Sequence, residues 1–225
     1  GKESIALNLK NEDDKKIFDK ILSKADILVE NFKPGTLEKW GYGWKDVSKK
    51  YPKLIYASAS GFGQTGPLKE LPAYDMVVQG MGGLMSVTGQ PNSGPTRVGT
   101  SIGDITAGLF TAIGINAALY DRQKTNKGMY IDVSMLDCQI AILENAIARY
   151  LAKNEIPKPM GSRHPSIAPF EAFKTKDSHI IIAAGNDKLF EKLCNLLAMP
   201  EMTKDSKFSD NSSRAKNMDE LKEIL

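Results

Sequence analysis

A single carboxylate stands at the start of the most apolar stretch of the chain. In TSIGDITAGLF (residues 100–110), Asp104 follows Gly103, and a nearly uncharged run of small and apolar residues continues to Tyr120. An Asp at the start of a helix is a favoured N-cap, and a helix that is apolar nearly all round is buried. The pattern therefore predicts that Asp104 caps a buried helix.

The same position suits covalent chemistry. A carboxylate at the end of a buried helix has little access to solvent, and the partial positive charge of the first-turn amides favours its ionised form. A carboxylate held in this way can act as a nucleophile, and Gly103 before it leaves room for a reactant. Capping and nucleophilic catalysis are compatible, so we expect both of Asp104.

A second group of polar residues lies in PAYDMVVQGMGG (residues 72–83), which contains Tyr74, Asp75 and Gln79. If the segment is helical, Asp75 and Gln79 are separated by four residues and share a face. A capped helix with a tyrosine packed at its start would show the same pattern. The spacing alone leaves the structural and the functional interpretation open.

The remaining motifs argue against a dinucleotide-binding loop and a metal site. Residues 61–66 (GFGQTG) match the G-x-G-x-x-G pattern after a predicted strand, but Pro67 and Pro72 follow where a helix should begin, which favours a loop. The only two histidines are His164 and His179, which are not at metal-ligand spacing, so we expect no metal site. A histidine-dependent triad in the first 163 residues would need a base from the later segment.

The elements that position these residues alternate between strand and helix, which is typical of a parallel α/β sheet. A shift in composition at residues 157–169 predicts a boundary between a large α/β domain (1–160) and the beginning of a smaller α+β domain (161–225) with a hairpin and an amphipathic helix. Predicted strands cover 4–9, 26–31, 53–60 and 129–135, with 26–31 buried, and predicted helices cover 11–25, 46–50, 74–85, 105–124 and 136–153.

Composition excludes several classes of protein. The chain of 225 residues has 41% hydrophobic and 25% charged residues, an ordinary mixture for a globular protein, and a net charge of +3 that is too small and dispersed for nucleic-acid binding. The apolar run 105–120 is too short to span a bilayer. Cys138 and Cys194 form no C-x-x-C pair, which favours a reducing compartment, and we expect a cytoplasmic protein without a membrane partner. Both ends of the sequence look cut, as in a fragment.

Seven segments follow one another along the chain: DILVENFKPGTLEKWG, GFGQTGP, PAYDMVVQGMGG, TRVGTSIGDITAG, GMYIDVSMLD, HPSIAPFEAF and AAGNDKLFEKLC. Together they resemble the class III CoA-transferases, the family of formyl-CoA transferase and carnitine CoA-transferase. The resemblance implies a Rossmann-like large domain in which Asp104 attacks an acyl-CoA thioester. It also implies coenzyme A and a carboxylic acid as substrates, no permanently bound cofactor, and an interlocked homodimer for the full-length protein.

The resemblance assigns roles to individual residues of this chain. Tyr74 and Asp75 correspond to a tyrosine–acid pair beside the nucleophile. Lys39 stands where the family often has Arg, so a bidentate phosphate contact is lost. The expected CoA contacts are Leu7, Asn31, Phe32, Pro34, Gly35 and Lys39, and residues expected near the substrate or its loops are Gln79, Arg97, Gly103, Gly185, Asn186 and Asp187.

Two alternatives remain open at this stage. The related 2-methylacyl-CoA racemases pair the same Asp with a histidine in a Gly-His-Asp segment, which here reads Ala73-Tyr74-Asp75, so one of two bases is missing. The family's first strand and helix would precede Gly1, so the chain is also compatible with a truncated, non-catalytic CoA-binding scaffold. The sequence identifies neither the acyl donor nor the acceptor acid, and it assigns no role to the two cysteines or the two histidines.

Overall fold

The computed structural model describes all residues from Gly1 to Leu225, and the chain forms two compact units. The first unit contains Gly1–Val87 and Pro95–Pro157. The second unit contains Thr88–Gly94 and Lys158–Leu225. Each unit is described by itself below.

The first unit is built on a parallel three-stranded sheet. Its strands are β1 (Ile27–Glu30), β2 (Ile55–Ser60) and β3 (Tyr130–Ser134), and they lie in the order β1-β2-β3. Helices connect the strands, as parallel pairing requires, which confirms the predicted α/β class. They are α1 (Glu12–Leu22), α2 (Thr36–Lys39), α3 (Trp44–Lys50), α4 (Asp75–Met81), α5 (Leu84–Val87), α6 (Ile102–Thr125), α7 (Met135–Ile142) and α8 (Glu144–Lys153).

Two apolar clusters hold these layers together. One joins α1, α2 and α3 to the sheet through buried Leu22, Leu37, Val47 and Tyr56. The other places Ala107 of α6 with Val133 of β3 and Cys138 of α7, and Ala59 and Ile131 pack against it. Because successive side chains of a strand point to opposite faces, the polar row Glu30, Ser58 and Asp132, which are neighbours in the sheet register, lies on one common face.

Helix α6 is the longest element and differs from its prediction in exposure. It has 24 residues and ends at Asn126, which adopts a left-handed conformation with φ 56°. The outer face is not buried, since Leu109 is 59% and Ile113 is 63% exposed. The expectation of a helix buried all round was wrong, because burial depends on neighbours that an apolar composition does not provide.

By length and composition alone, α6 is also able to cross a membrane, so the judgement that this run is too short was wrong. Core helices of water-soluble folds meet the same criterion. Here α6 packs on β2, β3, α4 and α7, as a core helix does.

Three further predictions in the first unit need correction. Residues 4–9 form no strand, because alternation does not create a neighbouring strand to satisfy the backbone groups. Strand β1 is only half-buried, with Val29 55% exposed. The predicted helices 74–85 and 136–153 are each divided in two, the first at Gly82-Gly83, where Gly83 has φ 86°, and the second at Leu143.

The second unit is a small α+β assembly. Strands β4 (Phe170–Lys174) and β5 (His179–Ala183) pair antiparallel, as the sequence predicts. They are followed by α9 (Asp187–Leu196), a 3-10 turn (Pro200–Lys204), α10 (Asn211–Lys216) and α11 (Met218–Ile224). The buried core of the unit includes Phe173, Phe190, Cys194, Phe208, Met218 and Leu221.

Candidate active site

An open cleft lies at the carboxyl ends of the parallel strands. Asn31 directly follows β1, Gly61 follows β2 and Met135 follows β3, and all three line the cleft, whose volume is about 820 Å³. Ligands of open parallel sheets bind at this edge. The first turn of α6 contributes Asp104 to the same cleft.

Residues that are far apart in the sequence meet in this cleft. Besides Asp104, the predicted site residues that line it are Asn31, Phe32, Pro34, Tyr74, Asp75 and Arg97. The turn after β1, the start of α4 and the segment before α6 each supply some of them. The fold therefore brings the expected nucleophile, its tyrosine–acid pair and the expected CoA-contacting turn to one place.

Other predicted residues lie outside the cleft lining. Leu7 is half-buried in the segment before α1, Gly35 precedes α2 with φ 82°, and Lys39 is an exposed residue at the end of α2. Gln79 and Gly103 are buried beneath the cleft. The segment Gly185, Asn186 and Asp187 belongs to the second unit, where Asn186 Oδ1 caps α9 by accepting a hydrogen bond of 3.0 Å from the Leu189 amide.

Asp104 does not occupy the predicted N-cap position. Helix α6 begins at Ile102, Ser101 precedes it without a side-chain cap, and Asp104 is therefore within the first turn. The carboxylate of Asp75 takes the capping role instead, since its Oδ1 accepts a hydrogen bond of 2.8 Å from the Gly103 amide. Asp104 is also exposed, so the expected desolvation is not present in this chain.

Asp75 is held by a buried partner. Its side chain is 13% exposed, and its Oδ2 accepts a hydrogen bond of 2.8 Å from Gln79 Nε2. Gln79 is 0% exposed, and its Oε1 accepts a hydrogen bond of 2.9 Å from the Val98 amide. The predicted shared face of Asp75 and Gln79 is confirmed, and the pair ties α4 to the segment that leads into α6.

The missing side chain of Gly103 allows two helices to pack closely, and it does not leave room for a reactant as expected. A Cβ at this position would lie 2.7 Å from Val78 Cγ2 and 3.0 Å from Asp75 Oδ1. The missing side chain thus lets α6 approach α4 closely enough for Asp75 to reach the Gly103 amide. The space beside Gly103 is occupied by protein, so it is not available to a reactant.

Polar residues that were not predicted lie on the face of the sheet below the cleft. Ser60, at the end of β2, lines the cleft, and its buried Oγ has no hydrogen-bond partner. The small polar alternation in ASAS (residues 57–60) is the signal that could have revealed it.

Two acidic side chains on this face hold loops that border the cleft. Glu30 Oε2 accepts a hydrogen bond of 2.8 Å from the Phe32 amide, and Asp132 accepts one of 3.0 Å from the Gln64 amide. Burial raises the pKa of Glu30, although hydrogen bonds from Ser58 and the Phe32 amide partly oppose the shift. The Gly61–Gly66 segment is a loop, as predicted, without a helix after it.

The fold and the cleft together define a parallel α/β protein with an acidic residue at a helix start facing a cavity large enough for a sizeable ligand. The sequence model of the CoA-transferase family III matches residues 1–225. The chain belongs to this family.

Curated relatives and solved structures support the assignment. Acetyl-CoA:oxalate CoA-transferase from Acetobacter aceti is 48% identical over 226 residues, which is 100% of this chain and 58% of that protein. Succinyl-CoA:glutarate CoA-transferase from Homo sapiens is 40% identical, over 100% of this chain and 51% of that protein. The chain thus spans little more than half the length of these relatives.

Two solved structures share the fold. A CaiB/BaiF family protein from Brucella suis superimposes with a TM-score of 0.85 at 40% identity, over 99% of this chain and 59% of that one. A protein from Mycobacterium tuberculosis gives a TM-score of 0.88 at 30% identity, over 100% of this chain and 60% of that one.

Proposed function

We propose that the whole protein transfers coenzyme A from an acyl-CoA donor to a carboxylic acid, with Asp104 as the nucleophile. The observation that carries the proposal is the meeting of Asp104 with the Asn31–Pro34 turn and the Tyr74–Asp75 pair in one cleft. Membership of the CoA-transferase family III supports the reaction type.

The proposed reaction proceeds by exchange at the Asp104 carboxyl group. An Asp104 oxygen attacks the thioester carbonyl, the C–S bond breaks, and an aspartyl-acyl anhydride and CoA thiolate form. The thiolate then attacks the Asp104 carbonyl, which releases the donor acid and leaves an aspartyl-CoA thioester. The acceptor carboxylate attacks this thioester, and the liberated thiolate takes the acceptor acyl group from the resulting anhydride, which regenerates Asp104.

The role of the protein in these steps is mainly positional. A carboxylate is a weak nucleophile toward thioesters in water, and fixed orientation can supply much of the required acceleration. The bond from the Gly103 amide to Asp75 fixes the start of α6 and therefore the place of Asp104. Amide donors near helix starts and glycine loops can stabilise the oxyanions that form.

We further propose a dicarboxylic acid as the acceptor. Both curated relatives described above carry the name of a dicarboxylic acid, oxalate in one and glutarate in the other. The cleft has the cationic side chains Lys33 and Arg97 in its lining, which suits anionic substrates.

Racemisation receives less support from the site. A two-base exchange at the α-carbon needs a second proton carrier, and no histidine is among the residues that line the cleft. Uptake of deuterium at the acyl α-carbon in heavy water, without CoA transfer, would favour the racemase instead.

The decisive experiment traps the acylated aspartate. The whole protein is incubated with acyl-CoA and hydroxylamine, and we expect a hydroxamate at Asp104 that peptide mass spectrometry locates. Asp104→Ala should lower CoA transfer by at least about 10⁴-fold, the scale seen when an essential nucleophile is removed. Asp137→Ala, in the first turn of α7 and outside this cleft, is the matched control and should retain transfer. Retained transfer in the Asp104 variant would overturn the proposal.

A further inference from the structure

The cleft contains two cationic side chains that occupy different positions. Lys33 lies in the turn after β1, next to Asn31 and Phe32, whereas Arg97 lies in the segment before α6. Of the two, only Arg97 approaches Asp75, with its Nη2 at 4.0 Å from Asp75 Oδ2. The two cations therefore lie at different positions along the cleft.

The guanidinium of Arg97 retains most of its hydrogen-bonding capacity. Its contact with Asp75 is long, and its hydrogen bond to the Gly99 carbonyl oxygen is 3.5 Å. The side chain is 48% exposed. A guanidinium offers five N–H donors in a planar fork that matches a carboxylate, so donors remain available for an anionic ligand.

The backbone next to Arg97 and the backbone next to Asp104 are fixed by the same buried pair. Gln79 accepts a hydrogen bond of 2.9 Å from the amide of Val98, the residue after Arg97. Gln79 also donates to Asp75, which in turn accepts a hydrogen bond of 2.8 Å from the amide of Gly103, the residue before Asp104. The hydrogen-bonded pair of Asp75 and Gln79 therefore holds the backbone at Arg97 and the backbone at Asp104 at a defined separation.

We propose that Arg97 binds the carboxylate of the acceptor that does not react. This inference rests on the proposed function and assigns one part of the substrate to one side chain. When the first carboxylate of a dicarboxylic acid meets Asp104, its second carboxylate enters a cleft that already contains Asp75 and Asp104. A negative group brought there needs a positive partner, and Arg97 is the cation that lies beside Asp75.

The test compares acceptors that differ by one carboxylate. CoA transfer by the whole protein is measured with succinate against butyrate and with glutarate against valerate, and the quantity of interest is the ratio of kcat/KM within each pair. This ratio cancels any change in folding or in aspartyl-CoA formation, because both acids use the same enzyme preparation. In the unmodified protein we expect the dicarboxylic acid to be strongly preferred.

Arg97→Met should reduce this preference by roughly 10- to 100-fold, the range for loss of a charged hydrogen bond. Arg97→Lys should restore part of it, since a lysine keeps the charge and loses the bidentate geometry. The loss should appear mainly in KM for the dicarboxylic acid and not in hydroxamate formation at Asp104 from acetyl-CoA, which does not involve the acceptor.

Lys33→Met is the matched control for removing a positive charge from the cleft. It should raise KM for acyl-CoA and leave the ratio between the paired acceptors unchanged. An equal loss toward both acids in Arg97→Met, a rise in KM for acetyl-CoA in that variant, or an unmodified protein without preference would each overturn the proposal. Absence of hydroxamate at Asp104 in the unmodified protein would instead contradict the proposed function.

Discussion

Each unit of the molecule has a buried polar network that organises the start of a helix, but the polar groups around the two networks are satisfied to different degrees. In the second unit, Arg214 is 0% exposed, and its guanidinium donates to the carbonyl oxygens of Ala168 and Phe208 and to Asp187 Oδ1 at 2.8, 3.0 and 2.7 Å. It also lies 4.4 Å from the centroid of the Phe190 ring. Each of its three guanidinium nitrogens thus donates a hydrogen bond to a protein group.

The cleft of the first unit is organised in the same way and left incomplete. Asp75 and Gln79 are fully engaged, yet other polar groups that line the cleft remain underused. Arg97 makes only long contacts, and the buried Oγ of Ser60 has no partner. Buried polar groups in folded proteins are almost always paired, so Ser60 and Arg97 distinguish the cleft from the Arg214 network.

Replacing Arg214 should have the largest effect on stability. Arg214→Met leaves two buried carbonyl groups without donors and removes the partner of Asp187, and we expect a loss of about 3 kcal/mol in the stability of the second unit. Both tryptophans, Trp40 and Trp44, lie in the first unit, so their fluorescence does not report on the second. Hydrogen exchange of peptides from α9 and α10, read by mass spectrometry, is the appropriate measurement.

Lys216→Met is the control for this variant, because Lys216 is an exposed residue at the end of the same helix, α10. Its effect should stay within about 0.5 kcal/mol. Equal protection of α9 in the two variants would show that the Arg214 network contributes little, and the contrast between the units would then fail.

Asp75→Asn should have an intermediate effect, expressed in catalysis more than in stability. The two oxygens of Asp75 accept from two different donors, the Gly103 amide and Gln79 Nε2. An asparagine has only one acceptor oxygen, so one of these donors would meet an NH₂ group. Misplacement of a reactive group by about 1 Å can reduce a rate by about 100-fold, and we expect acylation of Asp104 to slow by about 10- to 100-fold.

Single-turnover hydroxamate formation measures this change directly. Asp137→Asn, an acid in the first turn of α7, should leave the acylation rate unaffected. A variant Asp75→Asn that acylates at the unmodified rate would show that the capping bond does not position the nucleophile. If the tryptophan fluorescence of Asp75→Asn did not change on unfolding, the first unit of this variant would be misfolded as a whole.

Local regularities of the sequence predicted part of this arrangement. The four-residue spacing of Asp75 and Gln79 predicted a shared helix face, and the two side chains are hydrogen-bonded. The alternation of strands and helices predicted the parallel sheet. The first feature depends on residues close in the chain, for which periodicity is informative, and the second on the order of the elements along it.

Features that depend on competition between distant residues were not predictable in this way. Asp104 satisfies the preference for an N-cap, but Asp75, which lies 28 residues before Gly103, reaches the helix start and takes that role. The apolar composition of α6 suggested complete burial, although Ile105, Leu109 and Ile113 are exposed. A sequence pattern describes what a residue can do, whereas the contacts decide which of several candidates does it.

Replacing Glu30 should have the smallest effect on stability. Its carboxylate is hydrogen-bonded but partly buried, so it extends the comparison between the two units to a charge that has lost part of its hydration. Burial raises its pKa above the ordinary value of 4.5, so the folded protein binds this proton more tightly than the unfolded chain does. The resulting stabilisation is complete below the ordinary pKa and is lost as the pH rises through the folded pKa.

Glu30→Gln keeps an acceptor for the Phe32 amide and cannot ionise. The free energy of unfolding of the first unit, followed by tryptophan fluorescence in urea, should therefore decline less steeply with rising pH in this variant. Glu3→Gln, at an exposed position, should keep the original slope. Identical slopes in all three proteins would mean that the hydrogen bond from Phe32 fully offsets the cost of burying the charge, which would place Glu30 with the satisfied Arg214 network.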